Sequence, residues 1–443
     1  MNLESIKTYI LVVLVAISII LTIRIWNFAP DLDQESIDNQ KESRQISIEG
    51  KQVLVKDVVL PSGIIFHKEN GPFALQVQDS EQTLYKEMQQ WTIQQFGPVS
   101  NVSDANGVTN PAVQVNYPVE LPLQIINQLF KLNDKEYDSL PQFNFDRIYF
   151  LPDLETKSAV EVIFASSHHN QRISANIFVQ QINPYESLMA YLENDEALTP
   201  LMPLTVKNEK VIYLPVERPV VDYQTFNKPE EISDEPLINN LFQDPSAARK
   251  FDYYTDGRRK LEMHYNYSNL KYMEYDNAIS REVQSAVSRL EVINKTQEFI
   301  NNHNGWTNDF MLMDINDANT WTRYHLMING YPILVPLGLM ELEWNNDDLY
   351  QYNRPLIRLS DPFPLNYGEQ SEELPNGQEL INYFNSDYFR SNVDQIEDIH
   401  IGYSISDEND NFDVLILEPN WFIKISGEWK VVDMENSPGQ GGL

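Results

Sequence analysis

The amino-terminal part of the chain contains one long run of apolar positions. Residues 8–23, TYILVVLVAISIILTI, carry no charge, and Ile6, Ile25, Trp26 and Phe28 extend the run to about the 20 residues that cross a bilayer as a helix. A cleavable signal peptide has a shorter apolar part and a small-residue cleavage site, whereas bulky residues and then acids follow this run. The pattern therefore predicts a retained transmembrane helix over residues 7–28.

Charges on the two sides of this helix predict its orientation. Lys7 precedes the apolar run, and the acid-rich stretch PDLDQESID follows it from Pro30. The positive-inside rule then places residues 1–6 in the cytoplasm and everything after Phe28 outside the cell. Residues 29–50 are polar and lack periodicity, which is typical of a flexible tether. We expect a single-pass protein of the cell membrane whose bulk is extracytoplasmic.

Two small polar residues within the predicted helix suggest a contact face. Ser18 and Thr22 lie four positions apart on one side of a helix, a spacing that lets a second membrane helix approach closely. Trp26 follows on the same side, where an aromatic ring is also a common interfacial anchor. Alternatively, both hydroxyls face lipid and bond to the preceding helical turn. Ser18, Thr22 and Trp26 are therefore candidate partner-binding residues.

Shorter patterns beyond the tether predict a first α+β domain over residues 51–225. The segment KQVLVKDVVLPSGIIFH has strand character, and SEQTLYKEMQQWTIQQF has apolar residues at near-helical spacing from Leu84 to Phe96. PAVQVNYPVELPLQIINQLFKL predicts a strand and then a helix, and three further strands are predicted at FNFDRIYFL, SAVEVIFAS and RISANIFVQ. The stretch rich in proline and acids that follows predicts a linker over residues 226–235.

A repeated pattern predicts two more domains, over residues 236–345 and 346–434, with a tail at 435–443. In both, a helical segment precedes a strand, a polar tip, a second strand, a proline-containing turn and a third strand. The two strand triplets begin at Phe310 and Ile401. The second helix is predicted near GQELINYF, and the first has one apolar face followed by Gly305 as a stop, its members being Ile279, Val283, Ala286, Val287, Leu290, Ile293 and Ile300.

The expected fold class is therefore α+β, with one transmembrane helix and three extracytoplasmic domains. The last two domains are expected to be related, each with a small antiparallel sheet packed on a helix.

The stretch YYTDGRRKLE, residues 253–262, places basic residues in an otherwise acidic chain. Asp256 and Gly257 lie between alternating aromatic runs, which predicts a hairpin with a two-residue type I′ turn. Tyr254 then precedes the turn and Arg258 begins the return strand. The hairpin with a solvated or ion-paired Arg258 is the simpler interpretation, and a site for an anion or a partner is the alternative.

Composition excludes several classes of function. The chain has 443 residues, a net charge of −33 and no cysteine, while 42% of its residues are hydrophobic. A globular protein is expected, because disordered acidic chains are much less hydrophobic. The acidic excess argues against nucleic-acid binding, which needs clustered lysine and arginine. Disulfides and thiolate metal sites are absent.

Motifs for catalysis, cofactors and metals are also missing. The sequence contains no H-E-x-x-H, no G-x-S-x-G and no phosphate-binding glycine loop. Asp407, Asn409, Asn411 and Glu418 match four ligand positions of a calcium loop, but Phe412 replaces the required glycine. We therefore predict no catalytic residues, no cofactor and no metal site.

Several blocks of the chain resemble the YycH family of Gram-positive bacteria, also called WalH. They are the anchor ESIKTYILVVLVAISIILTIRIW, the block INNLFQDPSAARKFDYYTDGRRKLEMHY with YMEYDNA after it, and EFINNHNGWTNDF running on to MINGYPIL. The segment NRPLIRL resembles the family more weakly. The hairpin predicted at residues 253–262 belongs to the second block. Because its residues Tyr254, Asp256, Gly257 and Arg258 mark the resemblance to the family, it is called the marker hairpin below.

The resemblance implies a membrane-anchored accessory protein without catalytic activity. Members of the family are expected to associate with the sensor kinase WalK, also called YycG, and with a companion, YycI, largely through membrane helices. They adjust kinase activity and so cell-wall metabolism. Two alternatives remain open, a membrane-tethered extracytoplasmic enzyme acting on cell-wall polymers and a purely structural scaffold.

Overall fold

A computed structural model of the chain describes residues 47–434 apart from 103–108, 134–135, 167–168, 179–182, 208–209, 249–252, 267–268, 279–286, 317, 319, 347, 364–369, 387–392 and 407–413. The predicted cytoplasmic tip, membrane helix and tail lie outside the described residues. Within the described part, no helix combines the length and the apolar character needed to cross a membrane. The described residues from Ser47 onward form one compact unit with the predicted mixture of sheets and a few helices.

The strands up to residue 215 form one antiparallel-rich sheet, here called the N-terminal sheet. Its strand order is β11-β10-β2-β1-β5-β7-β8-β9-β3-β6, and β4 pairs with β9. The elements are α1 (Val55–Val58), β1 (Gly63–Lys68), β2 (Gly71–Leu75), α2 (Gln78–Met88), β3 (Thr92–Gln94), β4 (Ser100–Asn101), β5 (Ala112–Pro122), α3 (Ile126–Leu129), β6 (Lys131–Leu132), β7 (Asn144–Pro152), β8 (Ala159–Ser166), β9 (Gln171–Phe178), α4 (Pro184–Leu192), β10 (Leu198–Thr205) and β11 (Val211–Pro215).

The three strands predicted between residues 143 and 179 are confirmed as β7, β8 and β9. In β9, every second residue from Ile173 to Ile177 is buried, as expected of a strand with one face on the core.

Two other predictions for this region are wrong in part. Residues 55–58, expected to be strand, form the short helix α1, whose start is capped by the Asp57 carboxylate accepting the Leu54 N–H at 2.8 Å. The helix expected to reach Phe96 ends at Met88, because Ile93 instead pairs with Ile177 of β9.

The central part of the chain forms a second antiparallel sheet, the central sheet, of order β15-β16-β17-β22-β21-β19-β18, with β20 paired to β19. The elements from the predicted linker onward are β12 (Val220–Asp222), β13 (Gln224–Asn227), β14 (Glu230–Glu231), α5 (Glu235–Leu241), α6 (Pro245–Ala248), β15 (Tyr253–Thr255), β16 (Arg259–Tyr265), β17 (Lys271–Asn277), α7 (Arg289–Asn302), β18 (Phe310–Ile315), β19 (Trp321–Ile328), β20 (Tyr331–Pro332), β21 (Leu339–Asn345) and β22 (Asp348–Pro355).

Helix α7 is the predicted helix of the first repeat, but it starts later than expected. The Ser288 hydroxyl accepts the N–H of Glu291 at 3.2 Å and caps the helix, so Val287 precedes it. The predicted positions 279, 283 and 286 lie outside the described residues. At the other end, Asn304 adopts the left-handed conformation, and a Cβ on Gly305 would lie 2.6 Å from Ile300, which explains the glycine there.

The remaining elements are β23 (Ile357–Arg358), β24 (Ser371–Glu373), α8 (Gly377–Phe384), β25 (Ile396–Ile405), β26 (Val414–Ile425) and β27 (Glu428–Val431). Strands β13, β26 and β25 pair in that order, with β27 beside β26, and form the C-terminal sheet. The turn expected at Pro419 is absent, since β26 runs through it and pairs Pro419 with Tyr403. On its other edge, β26 pairs with β13 up to Leu417 and with β27 from Phe422, so the missing N–H breaks no ladder.

Segments near the predicted domain boundaries pair across the chain. Strands β12, β13 and β14 pair with β24, β26 and β23, respectively, so much of the predicted linker at 226–235 is strand or the start of α5. The boundary predicted at 345/346 falls between β21 and β22, which pair with each other. Most buried apolar side chains from all three sheets belong to one core cluster. The division into three domains and the relation between the last two stay predictions.

Candidate functional site

A cleft of about 1010 Å³ opens where the N-terminal, central and C-terminal sheets meet. Its volume is at the upper end of the ~300–1,000 Å³ typical of small-molecule pockets. Apolar and charged side chains both line it, among them Ile65, Tyr85, Tyr213, Met313, His400 and Trp421. A concave site with a mixed lining is the default location for ligand binding, so we describe it as the candidate site.

An ion-paired group forms one wall of the cleft. Asp398 at the start of β25 is 8% exposed, and its carboxylate lies 2.9 Å from Lys210 Nζ and 3.6 Å from His400 Nε2. Burial opposes ionisation of this carboxyl, but Lys210 and His400 outweigh it and hold the pKa of Asp398 well below its usual range. Because Lys210 directly precedes β11, the pair joins the N-terminal sheet to the C-terminal sheet.

The substitution Asp398→Asn is expected to lower the free energy of unfolding by about 1–2 kcal/mol at pH 7, between the effects of surface and buried pairs. A carboxyl whose pKa is lowered in the folded state stabilises that state above the unfolded pKa of ~3.9, and the contribution is lost as pH falls further. The difference between the variant and the native chain should therefore shrink below pH ~4. Urea denaturation at pH 7 and pH 3 measures both effects.

The control for this substitution is Asp394→Asn, at an exposed carboxylate just before β25. It should change stability by no more than about 0.5 kcal/mol at either pH. An effect of Asp398→Asn that is equally large at pH 3 would contradict a charge-based role.

The lining also contains a second buried charge pair and a carboxyl with a raised pKa. Arg147 is 4% exposed, and its Nη2 lies 3.3 Å from Asp146 Oδ2. Burial disfavours the charged guanidinium, but Asp146 and Tyr149 raise the pKa of Arg147 overall. Glu81 of α2 lies half-buried in the lining, where burial raises its pKa to about 7 against the opposing N–H of Ile64.

Glycosidases use two carboxyls in different protonation states that face one bond. In the lining of this cleft, Asp398 and Asp146 form ion pairs with Lys210 and Arg147, and burial raises the pKa of Glu81. These groups place charged side chains beside the apolar ones, an arrangement suited to binding a ligand.

The marker hairpin is present, but its turn differs from the prediction. Residues 256–259 separate the last cross-strand pair, Thr255 and Lys260, so the loop is longer than a two-residue type I′ turn. Within this described loop only Gly257 has a positive φ, of +89°. The Asp256 carboxylate instead accepts the N–H groups of Arg258 at 3.0 Å and Arg259 at 2.7 Å, and these bonds lower the pKa of Asp256 despite slight burial.

The side chains around this turn are engaged within the protein. Arg258 donates from Nε to Asn277 at 3.2 Å, and its Nη2 lies 3.5 Å from Asp348. Tyr254 packs against the core and pairs with Leu261. This hairpin does not line the cleft, and the geometry agrees with the ion-paired interpretation of Arg258.

Other predicted site residues lie outside the described part. They are Ser18, Thr22 and Trp26 of the predicted membrane helix and three residues of the weak calcium pattern, Asp407, Asn409 and Asn411. Glu418, the fourth residue of that pattern, belongs to β26.

Two groups that the fold brings together were not predicted from the sequence. Lys210 and Asp398 are 188 positions apart, and no local pattern links them. Glu262, His264 and Glu274 form a cluster with metal-ligating atoms among the described residues. The Glu-x-His spacing within one strand was a usable signal, because residues two apart in a strand share a face.

Comparison with known proteins gives consistent matches along the chain. A family model described as "YycH protein, N-terminal domain" matches residues 4–197, and one described as "YycH protein, C-terminal domain" matches residues 209–439. A Bacillus subtilis (strain 168) protein named "Two-component system WalR/WalK regulatory protein YycH" is 24% identical, over 97% of this chain and 96% of the relative.

A solved structure agrees in fold. The crystal structure of YycH from Bacillus subtilis superposes with a TM-score of 0.66 at 19% identity, covering 88% of this chain and 99% of the other. At this identity the likeness concerns the fold alone. Because the C-terminal family model alone matches more than half of the residues, the chain belongs to the YycH family.

Proposed function

We propose that this chain is a non-catalytic, membrane-anchored regulatory protein of a two-component system. The observation that carries the proposal is the likeness over 97% of the chain to a protein named as a WalR/WalK regulatory protein. The proposed partners are a sensor kinase related to WalK and a YycI-like accessory protein. The process regulated would be cell-wall metabolism.

The physical route for such regulation follows from the predicted topology. Only residues 1–6 are expected in the cytoplasm, so the chain can reach a kinase laterally in the bilayer or through exterior domains. Its influence would then be a difference in affinity for the active and inactive arrangements of the kinase. Ser18, Thr22 and Trp26 are the proposed contact face in the bilayer.

The exterior part is suited to transmit such contacts as a unit. Strand β13 lies beside β26 in the C-terminal sheet, although it follows directly on the N-terminal part of the chain. Lys207 adds an ion pair with Glu397 at 2.7 Å, next to the pair of Lys210 and Asp398. Binding at one of these sheets is therefore mechanically connected to the others.

Replacing residues 8–26 with an unrelated apolar span of equal length is expected to abolish co-purification with the kinase from detergent-solubilised membranes. The reason is that the replacement preserves anchoring but removes the proposed contact face. Kinase autophosphorylation in membranes should also differ between preparations with and without the native chain, and the swapped chain should give the value measured without it.

The control is equal membrane abundance of the native and swapped chains. If the kinase is recovered equally well with the swapped helix, the contact lies in the extracytoplasmic domains and not in the membrane helix. A purely structural scaffold predicts no change in autophosphorylation when the chain is removed. Release of the mature chain into the medium would contradict anchoring itself.

A further inference from the structure

Three side chains with metal-ligating atoms converge on one face of the central sheet. Among the described residues, Glu262, His264 and Glu274 place one ligand atom each within 4.8 Å of one another. Missing motifs led to the prediction of no metal site, and these three residues come together across two strands only in the fold.

The strand register explains why these side chains meet. Glu262 of β16 and Glu274 of β17 are direct cross-strand partners. His264 lies two positions beyond Glu262 and therefore on the same face of the sheet. The Tyr272 ring stacks on the His264 imidazole with centroids 5.2 Å apart and an interplanar angle of 29°, which restricts the orientation of the imidazole.

One nitrogen of the cluster lacks a partner. His264 Nε2 is screened from solvent and has no hydrogen-bond partner among the described residues. The nearest carboxylate atom recorded for it, Oε2 of Glu274, lies 3.7 Å away, which is too long for a hydrogen bond. A screened imidazole nitrogen without a hydrogen-bond partner, beside the carboxylates of Glu262 and Glu274, is an arrangement that a cation would satisfy.

We propose that Glu262, His264 and Glu274 bind a zinc ion. An imidazole nitrogen and two carboxylate oxygens suit zinc, whereas calcium and magnesium prefer oxygen ligands alone. Ligand atoms around a tetrahedral zinc lie about 3.3–3.6 Å apart, so small side-chain rotations close the present spacing. Water would complete the coordination.

A neighbouring lysine modulates the site. Lys260 Nζ lies 2.7 Å from Oε2 of Glu262 and competes for that carboxylate. His264 and Glu274 are therefore the ligands whose loss should weaken binding most. The site does not depend on the proposed regulatory function.

Calorimetric titration of the full-length chain in detergent with zinc chloride, after removal of any histidine tag, tests the proposal. We expect one zinc ion per chain. His264→Gln and Glu274→Gln should each weaken binding by at least the ~10–100-fold that loss of an outer-sphere partner costs. Binding should also weaken on acidification, because protons compete for the imidazole nitrogen.

The matched controls are Asp276→Asn, an exposed carboxylate on the same face of β17, and His169→Gln, on an exposed turn. Both should bind zinc as the native chain does. Cobalt(II) provides a second measurement, since its visible absorption is strong in a tetrahedral site and weak in an octahedral one. Tetrahedral absorption that Glu274→Gln abolishes supports the site.

Three outcomes would overturn the proposal. They are failure of the native chain to bind zinc stoichiometrically, equal binding by the native chain and Glu274→Gln, and equal losses in Glu274→Gln and Asp276→Asn. The first would leave His264 and Glu274 as neighbouring side chains without a metal ion. Since Glu274 is exposed, its substitution should leave the fold unchanged and gives a result even if His264→Gln does not fold.

Discussion

The substitution Arg354→Met is expected to lower the free energy of unfolding by about 3 kcal/mol. Arg354 of β22 is 1% exposed, and no carboxylate of the described residues pairs with it. Its guanidinium donates instead to Gly305 O at 2.7 Å, to Tyr352 Oη and Thr307 Oγ1 at 2.9 Å each, and to Pro355 O at 3.2 Å. Methionine has a similar length but leaves these acceptors without their donor.

Two opposing terms decide the size of this effect. Each buried acceptor left unsatisfied costs about 1–3 kcal/mol, whereas removing an uncompensated buried charge recovers part of its desolvation cost. The net loss should therefore be smaller than the sum over four acceptors. Denaturant unfolding monitored by tryptophan fluorescence measures it.

The matched control is Arg258→Met. This side chain is 52% exposed and its carboxylate partner is 63% exposed, so the loss should be at most about 1 kcal/mol. Equal stability of Arg354→Met and the native chain would show that the hydrogen bonds of Arg354 do not offset the burial of its charge.

Local patterns predicted the strands β7, β8 and β9. Burial alternates in β9, whereas β7 and β8 are buried at most positions and were predicted from short runs of apolar and aromatic residues. The end of α2 was missed because the strand from Thr92 is stabilised by pairing with β9, far along the chain. The continuous strand through Pro419 was missed for a similar reason, since it depends on the neighbours of β26.

The candidate sites were less accessible than the fold to sequence reasoning. Asp398 forms an ion pair only because the fold places Lys210 beside it, and no spacing along the chain predicts this contact. The cluster of Glu262, His264 and Glu274 was predictable in part. A hairpin was predicted there, but Glu274 could be placed opposite Glu262 only once the register of β16 and β17 was known.

The start of the described part is held against the central part of the chain. Ile48, within the predicted tether, is 3% exposed, and its N–H donates to His303 O at 3.0 Å. The N–H of Lys51 donates to Trp306 O at 3.0 Å. The chain is thus held against the carboxyl end of α7 before the N-terminal sheet begins, so residues 47–50, predicted as part of the tether, belong to the folded part.

The substitution Asn301→Ala is expected to release this segment and to destabilise the protein by about 2–3 kcal/mol. The Asn301 Oδ1 atom accepts the N–H of Val53 at 3.0 Å and the indole N–H of Trp306 at 2.9 Å, and Nδ2 donates to Val53 O at 2.9 Å. Because Trp306 is 1% exposed, its indole N–H would lose its partner without reaching water. Hydrogen exchange measured by mass spectrometry should show faster exchange for residues 48–58.

Asn302→Ala provides the matched control, because Asn302 is the exposed last residue of the same helix. It should leave both the exchange of residues 48–58 and the unfolding free energy nearly unchanged. If exchange in Asn301→Ala accelerates throughout the protein rather than in this segment, the segment does not open independently. If neither measurement separates the two variants, the backbone bonds to His303 and Trp306 suffice to hold the segment, and Asn301 is not the residue that holds residues 48–58 against α7.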